Sequence, residues 1–182
     1  MTDLSPSGTW NDKIVALPLA EFIGGDTLRF VRHLDASPAA VWELITTPAG
    51  WTWCSGMRAD LHVGGVFELD FDESQGMRGT ITELDPGRRI AMNWIETELS
   101  ADTPPLDRHH SVLAFDVEPD GNGARLVLTH SHITREDAPG FGAGWHAHLG
   151  RLEVALAGES LTSESLYGAL LPRYEELVTA AS

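Results

Sequence analysis

Along much of this chain hydrophobic and polar residues alternate with the two-residue period of β-strands. In residues 27–35, Leu28, Phe30, Arg32 and Leu34 share one face, while Arg29, Val31, His33 and Asp35 share the other. The same alternation predicts strands over residues 57–63, 66–71, 77–84, 89–97, 111–118 and 124–133. Turn signals separate them: Gly64-Gly65, the polar run from Asp72 to Gly76, Asp85-Pro86-Gly87, and the run from Pro119 to Gly123. Turns this closely spaced imply hairpins, and hairpins imply an antiparallel sheet.

Two kinds of segment break the alternation. Ser37 can cap a helix that starts at Pro38, where the missing N–H costs nothing, and Pro48 and Gly50 stop it. Residues 51–56 read as a short helix or ordered loop. Residues 101–107 hold Pro104-Pro105 and read as a loop, as do the Pro- and Gly-rich residues 134–144. A longer helix is expected over about residues 143–158. There Trp145, Leu149, Leu152 and Leu156 fall on one stripe, and Gly158 can end it. A last helix is expected over residues 163–179, with Pro172 as a kink or restart.

The predicted organisation is an N-terminal arm (residues 1–26), one domain (27–160) and a C-terminal helical extension (161–182). The order is strand, short helices, about six antiparallel strands and a long amphipathic helix. That is an α+β fold with helices on one side of a curved sheet. A long helix across a bent sheet often leaves a gap that suits a ligand.

Charge narrows the choice of partner. The 182 residues include 27 acids against 12 bases, for a net charge of −15. Such a surface repels phosphate backbones and anionic bilayers, so neither nucleic acid nor membrane is an expected partner. The apolar segment at residues 14–23 is interrupted by Pro18 and Glu21, so no membrane span is expected. Cys54 is the only cysteine, which rules out an intrachain disulfide and fits a reducing compartment. With no signal peptide discernible at the N-terminus, the expected location is the cytoplasm.

Five stretches carry a family resemblance. They are the run from Arg32 to Trp42 (RHLDASPAAVW), Val63-Gly64-Gly65, the run from Gly79 to Pro86 (GTITELDP), Leu128-Thr129-His130-Ser131, and the run from Gly144 to Leu152 (GWHAHLGRL). In this order they resemble the AHSA-type branch (activator of heat-shock-protein ATPase homologue-like) of the START/SRPBCC superfamily. The resemblance covers residues 27–158. It implies a helix-grip fold, in which a curved antiparallel sheet wraps the long C-terminal helix around a cavity. Members of the superfamily bind lipids, sterols, polyketides and other apolar molecules, and some are cyclases or hydrolases. No catalytic residue carries over, because fold alone does not fix function.

By alternation the inward faces offer Arg32, Phe67, Leu69, Phe71, Trp94, Glu96, Phe115 and His130 from the strands. The long helix offers Trp145, Leu149 and Leu152, and Trp53 closes one end. These twelve are the candidate ligand-binding residues. Each aromatic taken alone reads first as core, and several together read as a pocket wall. Arg32, Glu96 and His130 need partners on such faces: Arg32 either pairs with Glu96 or holds a ligand carboxylate. Glu96 with His130 could serve as an acid–base pair in a wet pocket.

His130 and His132 share a strand face, with His109, His110, His146 and His148 elsewhere. No Asp, Glu or Cys at ligand spacing accompanies them, so neither metal nor cofactor is expected. Cys54 reads as a small buried residue or a reactive thiol. Three functions stay open: a carrier or sensor of a small apolar molecule, an enzyme on an apolar substrate, and a co-chaperone-like interaction module. The C-terminal helix could pair two copies into a homodimer.

Overall fold

The structure is a computed structural model that describes residues 9–72, 75–98, 111–161 and 166–181. Eight strands form one antiparallel sheet: β1 (Glu21–Ile23), β2 (Thr27–Leu34), β3 (Gly56–Ala59), β4 (Val66–Asp70), β5 (Gln75–Asp85), β6 (Arg89–Glu98), β7 (Ser111–Asp120) and β8 (Gly123–Ser131). Their order across the sheet is β1-β2-β8-β7-β6-β5-β4-β3. The helices are α1 (Trp10–Ala16), α2 (Pro38–Thr46), α3 (Ala138–Leu156) and α4 (Leu166–Ala180), with a 3-10 turn at Pro48–Gly50. This is the α+β helix-grip architecture, and α3 is its long C-terminal helix.

The sheet bends where β5 and β6 change partners. A Cβ on Gly79 would lie 2.2 Å from the Asn93 carbonyl, so only glycine allows that approach. The Asn93 side chain accepts the Thr80 N–H, which the ladder leaves free there. The register then slips between Ile81 and Glu83, as at a bulge. Bend and bulge curl the sheet around α3.

Several boundaries differ from the sequence reading. The strand expected to reach Val63 stops at Ala59, because a tight hairpin tip follows. Gly64 has φ +88°, and a Cβ on Gly65 would strike the Asp60 carbonyl. The N-terminal arm is folded: it contributes α1, whose capping box is built by Thr9 and Asp12, and β1, which pairs with β2 across Gly24-Gly25.

α3 begins at Ala138, inside the segment expected to be a loop. Its glycines lower helix propensity, but two of them allow close packing. A Cβ on Gly142 would sit 2.3 Å from the Tyr174 ring, and one on Gly150 would sit 2.4 Å from Ile14. α4 runs through Pro172, which lies on its exposed side, and turns Leu166, Leu170, Tyr174 and Val178 inward. That stripe packs on α3 of the same chain. The start of the expected last helix (163–165), the loop at 101–107, His109 and His110 lie outside the described residues.

The centre of the grip is filled. Trp51 is buried, its indole N–H donates to the Ile45 carbonyl at 3.2 Å, and its edges meet Phe67, Phe115 and Trp145. His148 stacks on its face at 4.1 Å. Among the described residues, no helix is long and apolar enough to cross a membrane.

Candidate ligand-binding site

The candidate residues divide into three groups. Phe67, Leu69, Phe115, Leu149 and Leu152 are all inward-facing and buried, as alternation requires, but they pack in the solid core. Trp53, Trp94, Glu96 and Trp145 come together at one end of the grip. There they line a pocket of about 500 Å³ between β6, the first turns of α3, and α4. Phe71 backs that pocket, stacked on Trp53 at 5.6 Å and on Trp94 at 6.3 Å. Arg32 and His130 form the third group, buried and bonded to other side chains of the fold.

Arg32 faces inward, but its ion-pair partner is Glu153 of α3, with Nε to Oε1 at 3.7 Å. Glu96 is one of the two partners that the sequence allows, the other being a ligand carboxylate. The strand order explains the difference: β8 and β7 lie between β2 and β6, so the two side chains start roughly 14 Å apart at the usual strand spacing. Arg32 also donates to the Val31 carbonyl, and burial lowers its pKa. Burial raises the Glu153 pKa in turn, opposed by Arg32.

Both ring nitrogens of His130 bond to groups other than Glu96. The Trp145 indole N–H donates to its Nδ1 at 2.9 Å, so Nε2 carries the proton and donates to Ser111 Oγ at 2.8 Å. The Ser111 hydroxyl donates onward to the Trp94 carbonyl. Both ring nitrogens are engaged, and burial holds the ring neutral with a pKa lowered to about 3. This chain ties β8, β7, β6 and α3 together and fixes the pitch of Trp145. His132 lies beyond the end of β8 with φ +60° and is exposed, so the two histidines do not share a face.

Two walls of the pocket escaped the sequence reading. Phe141 and Gly144 lie on the first turns of α3, which read as loop, and Tyr167 and Leu171 come from α4, which read as an extension. Their only sequence signal is the four-residue spacing of Tyr167 and Leu171 in a helical stretch. The pocket is aromatic on several sides: Trp53, Trp94, Phe141, Trp145 and Tyr167 all contribute. The Trp94 and Trp145 rings meet edge to face at 5.0 Å.

Four carboxylate residues also line the pocket: Glu96, Glu136, Asp137 and Glu175. No described lining residue is basic. Glu96 accepts the Trp94 indole N–H at 3.3 Å, and Asp137 accepts from the Thr134 hydroxyl. Cys54 stands apart, half-buried near Asp70, and burial pushes its thiol up to about 12. A thiol with so high a pKa is a poor nucleophile.

A family model described as Activator of Hsp90 ATPase homolog 1-like protein matches residues 35–157. No curated protein matches the chain at a significant level. Solved structures share the fold at low identity. CalU16 from Micromonospora echinospora is 22% identical with a TM-score of 0.64, over 84% of this chain and 88% of that one. The Aha1 dimer from Colwellia psychrerythraea is 20% identical with a TM-score of 0.57, over 71% and 95%. EF2215 from Enterococcus faecalis, described as a conserved protein of unknown function, is 15% identical with a TM-score of 0.70, over 95% and 96%. At these identities the likeness is one of fold. The matched span runs from the turn before α2 to the end of α3, through the bent sheet that holds His130 and the helix that holds Trp145, and it makes this chain a member of the Activator of Hsp90 ATPase homolog 1-like family.

Proposed function

We propose that this protein binds a small, largely apolar molecule in the pocket formed by β6, α3 and α4. The observation that carries this reading is the aromatic lining of a space of about 500 Å³, within the size range of small-molecule sites. Aromatic walls bury flat apolar surface and attract cations through their faces. The four carboxylates add a negative field in a chain already at −15. The guest is therefore neutral or positively charged, with a planar or ring-bearing body.

Calorimetric titration with three indoles of similar shape tests this reading. Tryptamine carries a cation, indole is neutral, and indole-3-propionate carries an anion. The expected order of affinity is tryptamine, then indole, then indole-3-propionate, with the cation ahead of the anion by about 10-fold or more at low salt. Equal affinities, or a preference for the anion, contradict the charge reading. Failure of all three contradicts the pocket.

A further inference from the structure

A second cavity, of about 180 Å³, shares Trp53, Gly144 and Tyr167 with the larger pocket, but its polar residues have the opposite character. It is lined by His148 and Arg151, which lie one turn apart on the same face of α3. The Trp53 indole N–H donates to His148 Nδ1 at 2.8 Å. An indole N–H only donates, so Nδ1 accepts and the neutral ring carries its proton on Nε2. His148 is 1% exposed, and its Nε2–H has no acceptor. Buried donors of this kind are rare, because each forfeits its hydrogen bond to water.

Arg151 has the complementary property. It is half-buried, and among the described residues it has no carboxylate partner. Acids outnumber bases 27 to 12 in this chain; Arg29, Arg32, Arg58, Arg78, Arg88, Arg89 and Arg125 each have such a partner, and Arg173, which has none among the described residues, donates to the Val15 carbonyl instead. Burial lowers the Arg151 pKa, and Arg151 in turn helps keep His148 neutral.

We infer that this cavity is a binding site for a small oxyanion, a carboxylate in the first instance, held between the Arg151 guanidinium and the His148 Nε2–H. The carboxylate oxygens accept from both groups, and the ion supplies the charge that Arg151 lacks. The ion is a free small carboxylate and not the acidic end of a guest in the larger pocket, because the four carboxylates there repel such a guest. The choice of a free ion rests on the charge reading of the larger pocket, whereas the contacts from Arg151 and His148 do not.

The test is an NMR titration with sodium acetate, and separately with acetamide, at constant ionic strength. It follows the Trp53 indole N–H and the His148 ring protons. Acetate is expected to give saturable shifts at both rings, with acetamide about 10-fold weaker or without effect. In Arg151→Gln, with circular dichroism confirming the fold, acetate binding falls about 10-fold or more, and Arg151→Lys restores part of it. Equal shifts with acetate and acetamide, or unchanged binding in Arg151→Gln, overturn the site. So does indole-3-propionate binding more tightly than acetate with shifts at Trp94, which places the carboxylate on a guest spanning both cavities. If indole still shifts Trp94 and Trp145 while acetate moves nothing, the oxyanion site fails and the larger pocket stands.

Discussion

Three buried histidines show how single residues set this protein's behaviour. His130, His146 and His148 are neutral inside the fold, their pKa values lowered by burial to about 3, 4 and 3. His146 donates from Nε2 to the Ile14 carbonyl at 2.8 Å and accepts the Tyr174 hydroxyl at Nδ1. Unfolded, each ring titrates near 6.5. The unfolded chain therefore takes up protons first as pH falls, and stability present above pH 6.5 is lost toward pH 4. Between pH 7 and 5 the unfolding free energy should fall by about 1–2 kcal/mol for each ring, read from urea melts. A flat profile over that range contradicts the buried, neutral assignment. Trp51 makes the second prediction at this scale. Its indole fills the middle of the grip, so Trp51→Ala should cost about 3–5 kcal/mol in the same assay. A loss below about 1 kcal/mol means the core is not organised around that ring.

At the scale of elements, alternation and turn chemistry made the strands legible. Leu28, Phe30, Arg32 and Leu34 face inward as their two-residue spacing requires, and each of the six later strands forms within its predicted neighbourhood. The start of α3 was not legible, because Pro139, Gly140, Gly142 and Gly144 carry loop propensity. What places them in a helix is tertiary: Gly142 admits the Tyr174 ring and Gly150 admits Ile14, contacts between residues far apart in sequence. The partner of Arg32 was hidden for the same reason, since strand order and not alternation decides which acid it meets. Gly142→Ala tests the close approach. Helix propensity alone favours alanine by about 1 kcal/mol. The clash with Tyr174 should reverse the sign and destabilise the protein by about 1–3 kcal/mol in urea unfolding. A stabilised variant contradicts the α3–α4 packing.

Across the whole molecule, the family core forms the grip, and the terminal elements finish it. α1 and α4 are fastened to α3 by one buried chain: the Ala20 N–H donates to the Tyr174 hydroxyl, Tyr174 to His146, and His146 to the Ile14 carbonyl. With α4 held there, Tyr167 and Leu171 stand opposite Trp94 and Trp145, and the pocket has its fourth side. The sequence pointed to a cavity under the long helix and named Trp53, Trp94, Glu96 and Trp145. It did not show that Trp51 fills the centre and pushes the space to the end where α4 covers it.

Gly144 offers the most direct test of that space. It lies on the pocket wall, and a Cβ there would meet nothing within 4 Å. Gly144→Leu should therefore keep or raise stability, since leucine outranks glycine in a helix, while its side chain occupies the pocket. Calorimetric titration of indole into the wild type and this variant compares the two. Binding to the wild type and its loss, by about 10-fold or more, in a variant at least as stable is the predicted result. Unchanged indole affinity in Gly144→Leu would place the guest elsewhere and contradict the pocket as the binding site.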